Sequence, residues 1–213
     1  MLAVAAVVVV LLVIAQLVLP GMAAQSLRDR LGKSGKVLDV EVSAFPAIEL
    51  LWHHADKVVV RMQQYRSNTG HLSSLLDEAG NVGTLDASAD QLSAGLLTLR
   101  NASLRKRGDQ VTGNAQVTED DLRASLPILQ SVQPVASGGG QLTLRGTATL
   151  FGATASVDAT VRALQGQLVV QPDIPFGGLA TISVFNDPHL QVQGVSANGA
   201  PGGFSVSAQG TLR

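Results

Sequence analysis

The amino-acid sequence predicts an α+β fold, an antiparallel β-sheet packed on short helices behind an N-terminal hydrophobic helix. Three observations predict it. Residues 1–19 are apolar except for Gln16, and a helix that is apolar on every face does not belong on the surface of a soluble domain. Between Pro46 and Gly80 apolar residues recur at helical spacing. From residue 96 onward, stretches of strand length alternate in polarity and are parted by glycine-containing turns. That spelling gives consecutive hairpins and hence antiparallel pairing. Helices that precede the strands, rather than alternating with them, make the class α+β.

The run Met1–Leu19 approaches the roughly 20 residues that cross a bilayer. Gly21-Met-Ala23 follows with small residues at the spacing of a signal-peptidase site. Residues 1–23 are therefore expected to be a signal peptide or an uncleaved signal anchor, and the chain to be extracytoplasmic. The first basic residues are Arg28, Arg30, Lys33 and Lys36, beyond the run. This opposes the usual orientation bias, so the natural start is expected upstream of Met1. Residues 24–36 are a short polar helix or tether broken by Gly32 and Gly35. One domain over 37–213 follows, with no shift in composition.

Leu38, Val40 and Val42 alternate as a first strand. Pro46 stands in the first turn of a helix with Ile48, Leu51 and Trp52, and Val58–Tyr65 is a second strand. Thr69 caps a helix bearing Leu72, Leu75, Leu76 and Ala79, which Gly80 stops. Leu85–Ser88 is extended, and Ser88 or Asp90 starts a further helical turn before Gly95. The strands Leu96–Arg105 and Gln110–Val117 form a hairpin about Lys106–Asp109. Ser137–Gly140, Phe151-Gly152 and Gln165-Gly166 are turns around Gln141–Leu150, Ala155–Ala163 and Gln167–Val170. After a loop at Asp173–Gly178 come Ala180–Phe185, Leu190–Ser196 and Phe204–Leu212.

Val111–Pro127 organises this second half. Val111, Gly113, Ala115 and Val117 share one side of a strand, and Thr112, Asn114 and Gln116 the other. Thr118 then offers its hydroxyl to a short helix with Asp121 three residues on, an aspartate version of a capping box. Leu122 and Leu126 stack on that helix before Pro127 ends it. The pattern G-x-x-V-T-G-x-A-x-V-T-x-x-D-L…LP over Gly108–Pro127, preceded by LLTLRNASLRKRG, resembles the LmeA-like phospholipid-binding family of actinobacterial envelope proteins. Ala44-Phe-Pro46 is similar to that family's earlier Gly-Phe-Pro landmark, with alanine in place of glycine. The resemblance runs from about Val37 to the C-terminus. It implies a long curled sheet wrapped on helices, similar to tubular lipid-binding proteins, and a non-catalytic protein that binds phospholipid at the membrane in support of envelope lipid or lipoglycan maintenance. The alternative is a scaffolding protein of the envelope whose sheet binds another protein.

Composition excludes several other classes. With 15 basic and 16 acidic residues there is no global positive field for nucleic acid. Cysteine is absent, which removes disulfides, thiolate metal sites and thiol catalysis. His53 and His54 are adjacent, about 100° apart on a helix and poorly placed to share a metal. Glu119-Asp120-Asp121 falls in a helix's first turn, where the macrodipole accounts for it. Gly138–Gly140 leads into a strand, not a helix, so it is a turn rather than a phosphate cradle. Asn101-Ala-Ser103 fits a glycosylation pattern by chance within a strand. The sequence therefore predicts no enzyme, no cofactor and no metal.

Two surfaces remain. Arg100, Arg105, Lys106 and Arg107 place four of the fifteen basic residues within eight positions. They are either a solvated hairpin tip or contacts for anionic lipid headgroups. Leu72, Leu75, Leu76 and Ala79 form an apolar helix face, which packs into a core or lines a lipid groove.

Overall fold

A computed structural model describes residues 2–52, 54–67, 76–94, 97–125, 129–150, 153–173 and 181–213, with the backbone alone over residues 2–12. Helix α1 (Leu2–Gly32) is continuous through Pro20. The expected tether is thus helical up to Gly32, and a turn at residues 33–34 leads into β1 (Gly35–Ser43). A 3-10 turn, Ala47–Trp52, leads to β2 (Ala55–Ser67). Helical residues 76–80 (α2) precede β3 (Val82–Ala94) and β4 (Leu97–Arg107). Then come β5 (Gln110–Thr118), α3 (Glu119–Ser125), β6 (Leu129–Gly138), β7 (Gln141–Leu150), β8 (Ala153–Leu164) and β9 (Gln167–Pro172). The chain closes with β10 (Ile182–Phe185), β11 (Leu190–Ala200) and β12 (Gly203–Leu212). No helix among the described residues is long and apolar enough to cross a membrane. The crossing of Met1–Leu19 is an expectation of the sequence.

The expected architecture, mostly antiparallel β-sheet with few short helices, is present, and its strands divide between two sheets. One sheet has seven strands in the order β1-β2-β3-β4-β5-β12-β11, and the other five in the order β10-β9-β8-β7-β6. Pairing is antiparallel except between β2 and β3, which run parallel. A parallel pair needs a crossover rather than a tight turn, and α2 lies in that crossover. The expected helical turn at Ser88 or Asp90 is instead the middle of β3, whose Ser88 and Asp90 face solvent while Ala87 and Ala89 face inward. Strand β6 was not foreseen, because Pro134 and its polar neighbours hide the alternation. Leu38 is 52% exposed. Register shifts flank it in β1, so this apolar residue sits in a bulge and points out.

The two sheets meet through Val117, Leu142, Val161, Val195, Ala197 and Phe204. Each sits on the inner side of its strand by the period of two. Leu142 is only 2% exposed, and cutting such a side chain to alanine costs about 2–5 kcal/mol. The second sheet also covers the free edge of the first. The N–H groups of Val192 and Val195 on β11 donate to the carbonyls of Gly166 (2.8 Å) and Gly140 (3.1 Å). That of Ala197 donates to Ser137 Oγ at 3.0 Å. Hairpin turns thus satisfy edge groups that would otherwise template another strand. The approach needs glycine: a Cβ on Gly194 would stand 3.1 Å from Gly140 Cα.

On the same inner face, toward the β1–β2 edge of the large sheet, α1 lays Leu27 and Leu31 over Val58, Val60, Met62 and Tyr65. Thr118 caps α3 as expected, its hydroxyl accepting from Asp121 N–H at 3.2 Å and donating to Asp121 Oδ2 at 2.6 Å. Thr69, Leu126, Pro127, His53, His71, Gly95, Leu96 and the Phe151-Gly152 turn lie outside the described residues, as do most of the loop after Asp173 and the side chains of Ile48, Leu51, Trp52 and Leu122.

Candidate functional site

Register across the seven-stranded sheet decides where the basic cluster goes. One row of Cα partners reads Ser43, Lys57, Thr84, Arg107, Gln110, Thr211. The next row reads Val42, Val58, Leu85, Lys106, Val111, Gly210. Neighbouring rows point to opposite faces. Arg107 is therefore exposed on the polar outer face, whereas Lys106 occupies an otherwise apolar inner row and is 2% exposed. Its aliphatic stem lies in the interior, and Nζ donates to the carbonyl of Val82 at the start of β3. Burial pushes the Lys106 ammonium below its usual pKa, with the nearby Asp109 charge opposing.

The four expected headgroup residues are thus separated. Lys106, buried, is not on the surface that the hairpin tip presents. Arg105 is on the outer face, its side chain 71% exposed and its Nε 3.5 Å from Asp86 Oδ1. Arg100 lies seven residues back along β4, about 23 Å at 3.3 Å per residue. There its Nε and a terminal nitrogen make a fork of 2.7 and 3.0 Å with the Asp121 carboxylate. That hydrogen bonding holds the Asp121 carboxyl below the usual range, with burial opposing and the Thr118 hydroxyl assisting. Arg105 and Arg107 remain together at the β4–β5 tip, where Gly108 has φ +57° and no Cβ to resist it.

Of the expected apolar face, Leu76 and Ala79 are 6% and 7% exposed. They close onto Val111 and Leu212, with Leu85, Leu104, Phe185 and Leu190 around them. Leu72 and Leu75 lie outside the described residues. α2 therefore covers the inner face at the same end of the sheet as the basic hairpin. Its own edges are held by exposed polar contacts. Glu78 pairs with Arg30 of α1, and Asp77 Oδ1 lies 3.7 Å from Nε2 of His189, whose Nδ1 is 3.2 Å from Asp187 Oδ1.

Sequence reasoning missed one long-range contact. Gln16 is the single polar residue of the apolar run. It accepts from Ala47 N–H at 2.7 Å and donates to the Ala44 carbonyl at 3.2 Å, joining α1 to the loop around Phe45. Its isolation in the run was the signal available. Two open depressions are found among the described residues. One, of about 430 Å³, lies along α1 at Met22, Gln25, Asp29 and Arg30, and one, of about 300 Å³, lies on the five-stranded sheet at Thr160, Arg162 and Gln171. Among the described residues no cluster of three His, Asp or Glu side chains is placed to hold a metal.

Comparison with known proteins adds a family and little else. The model of a family described as LmeA-like phospholipid-binding matches residues 10–200. Among solved structures, a STAR-related lipid transfer protein fragment from Xanthomonas axonopodis aligns at 9% identity, covering 53% of this chain and 75% of that one with a TM-score of 0.19. So low a TM-score is not a shared fold and carries no argument. No curated protein matched the chain.

Proposed function

The chain belongs to the LmeA-like phospholipid-binding family, the match spanning residues 10–200, and from that premise we propose a non-catalytic phospholipid-binding protein of the bacterial cell envelope. In this reading it is extracytoplasmic, held at the membrane through α1 or released by cleavage near residue 23, and it supports the upkeep of envelope lipid or lipoglycan. Acyl chain enters between α2 and the inner face of the seven-stranded sheet. Leu76 and Ala79 form one wall, with Leu72 and Leu75 expected from the sequence on the same helix face, Val111 and Leu212 form the other, and Arg105 and Arg107 meet the headgroup.

The observation that carries the reading is a lipid-binding family match over most of the chain. Geometry supports the choice of site. Residues 76–80 of α2 are tied laterally by the exposed Arg30–Glu78 ion pair, worth at most about 1 kcal/mol, and by the contact of Asp77 with His189. Lifting α2 breaks no strand pairing, and each methylene taken from water returns about 0.8 kcal/mol. The test is native mass spectrometry of the detergent-extracted full chain beside an unrelated single-span protein treated alike. Phospholipid adducts retained by this chain alone support the reading. No retention above the control overturns it in favour of the scaffolding alternative.

A further inference from the structure

Three features fall at one end of the seven-stranded sheet. The row Ser43, Lys57, Thr84, Arg107 sets the end of β1, the starts of β2 and β3 and the β4–β5 hairpin level with one another. At about 4.8 Å per strand this places Arg107 about 15 Å from Ser43. The loop that leaves β1 at this end buries Ala44 and Ala47, at 5% and 1%, and leaves Phe45 between them 80% exposed. Finally, Gln16 binds that same loop through both ends of its carboxamide. Leu27 and Leu31 pack farther along β2, so the helix runs along the inner face and Leu2–Ala15 continue past this end, about 21 Å of helix.

We infer that this end of the sheet is a bilayer-seating surface, with Phe45 entering the boundary of headgroups and acyl chains beside α1 while Lys57 and Arg107 meet lipid phosphates. The inference rests on the proposal that α1 is held in the membrane. A carboxamide at that depth is costly without protein partners. The Ala44 carbonyl and Ala47 N–H supply them, so the polar residue of the helix and the Phe45 loop go to one level. On α1, Val13 and Leu17 are 53% and 75% exposed on either side of Gln16, which carries apolar surface from the helix toward the loop. Lys57 and Arg107 share the outer face in the same row, both exposed. Asp56 accepts from Phe45 N–H at 2.7 Å, and Asp86 faces Arg105. With Glu49 and Asp109 also at this end, the surface is not strongly basic. The phenyl wedge supplies most of the seating, and the cations orient it.

The chain contains no cysteine, so single labels report depth without background. Phe45→Cys, Arg107→Cys and, at the opposite end of β2, Arg66→Cys are each labelled with an environment-sensitive fluorophore. The full chain is then reconstituted in vesicles of phosphatidylcholine and phosphatidylglycerol. All three positions are exposed, so folding is not at issue. The label at 45 is expected to be quenched by spin-labelled acyl chains and shielded several-fold from aqueous iodide. The label at 107 is expected to be quenched by headgroup-borne probes, and the label at 66 by iodide alone. A label at 45 as open to iodide as that at 66 overturns the seating. So does one shielded from iodide without lipid contact, which marks a protein partner instead. Lipid retention measured on the same samples is a separate readout, so lipid can remain bound where the seating fails.

Discussion

Lys106 Nζ hydrogen-bonds the carbonyl oxygen of Val82, and through that bond a lysine occupies a place in an apolar row of the inner sheet face. Its neighbours Arg105 and Arg107 point the other way. Three adjacent cations therefore do two different jobs, and substitution separates them. Lys106→Ser leaves a cavity and an unpaired carbonyl and is expected to cost about 2–4 kcal/mol. Lys106→Met keeps the volume but also leaves the Val82 carbonyl unpaired, and should cost about 1–3 kcal/mol, less than Lys106→Ser. Arg105→Ser with Arg107→Ser should leave unfolding midpoints nearly unchanged and weaken binding to acidic vesicles in a salt-sensitive way. Chemical unfolding and vesicle flotation of the same variants decide it. A stable Lys106→Ser protein would contradict the burial.

The same lysine sets a pH slope. Burial lowers its folded pKa below the ordinary 10.5. Between the folded and unfolded values the unfolded chain holds more protons, so the contribution of this group improves as pH rises through that window. The stability lead of wild type over Lys106→Met should therefore widen on the alkaline side. A constant difference from neutral pH to pH 10.5 would contradict this sign.

Asp121 gives the opposite dependence. The Arg100 fork keeps its folded pKa below the usual carboxylate value. Its stabilising contribution is therefore complete above the unfolded pKa of about 3.9 and is lost as pH falls through the lower folded value. Asp121→Asn should be less stable than wild type at pH 7, with the gap narrowing below about pH 4. Urea unfolding at several pH values reads this directly, and a gap that widens in acid would refute it.

Gly194 tests the closure between the sheets. Gly194→Val sets its side chain against the Gly140 turn, which cannot retreat without losing the Val195 to Gly140 bond of 3.1 Å. The expected cost is about 1–3 kcal/mol. On the same strand, Gly199 has nothing within 4 Å of a built Cβ, and Gly199→Ala should stay within about 0.5 kcal/mol. Equal behaviour of the two in thermal unfolding would remove the glycine contact from the account.

Locality decided what could be read from the sequence. Turns at Gly108, Gly139-Gly140 and Gln165-Gly166, all with positive φ, set the later hairpins, and the Thr118 cap needed only four adjacent residues. The parallel pairing of β2 with β3 and the separation into two sheets depend on contacts far apart in the chain, which alternation does not encode. β6 was obscured by Pro134, and β3 by polar residues that only face outward. The burial of Lys106 was legible in principle, since Ala102, Leu104 and Lys106 fall on one side of β4 and Arg105 and Arg107 on the other. Charge count drew the four cations together where the period of two separates them. The partnership of Arg100 with Asp121 had no local signal.

The central claim is that lipid enters the folded domain and does not merely surround α1. A phospholipid carrying a photoactivatable group at mid-chain, cross-linked to the full chain in vesicles and mapped by peptide mass spectrometry, tests it most directly. The account predicts labelled peptides containing Leu76–Ala79 or Val111 in addition to those of α1, reduced by excess unlabelled phospholipid. Label confined to α1 would contradict it.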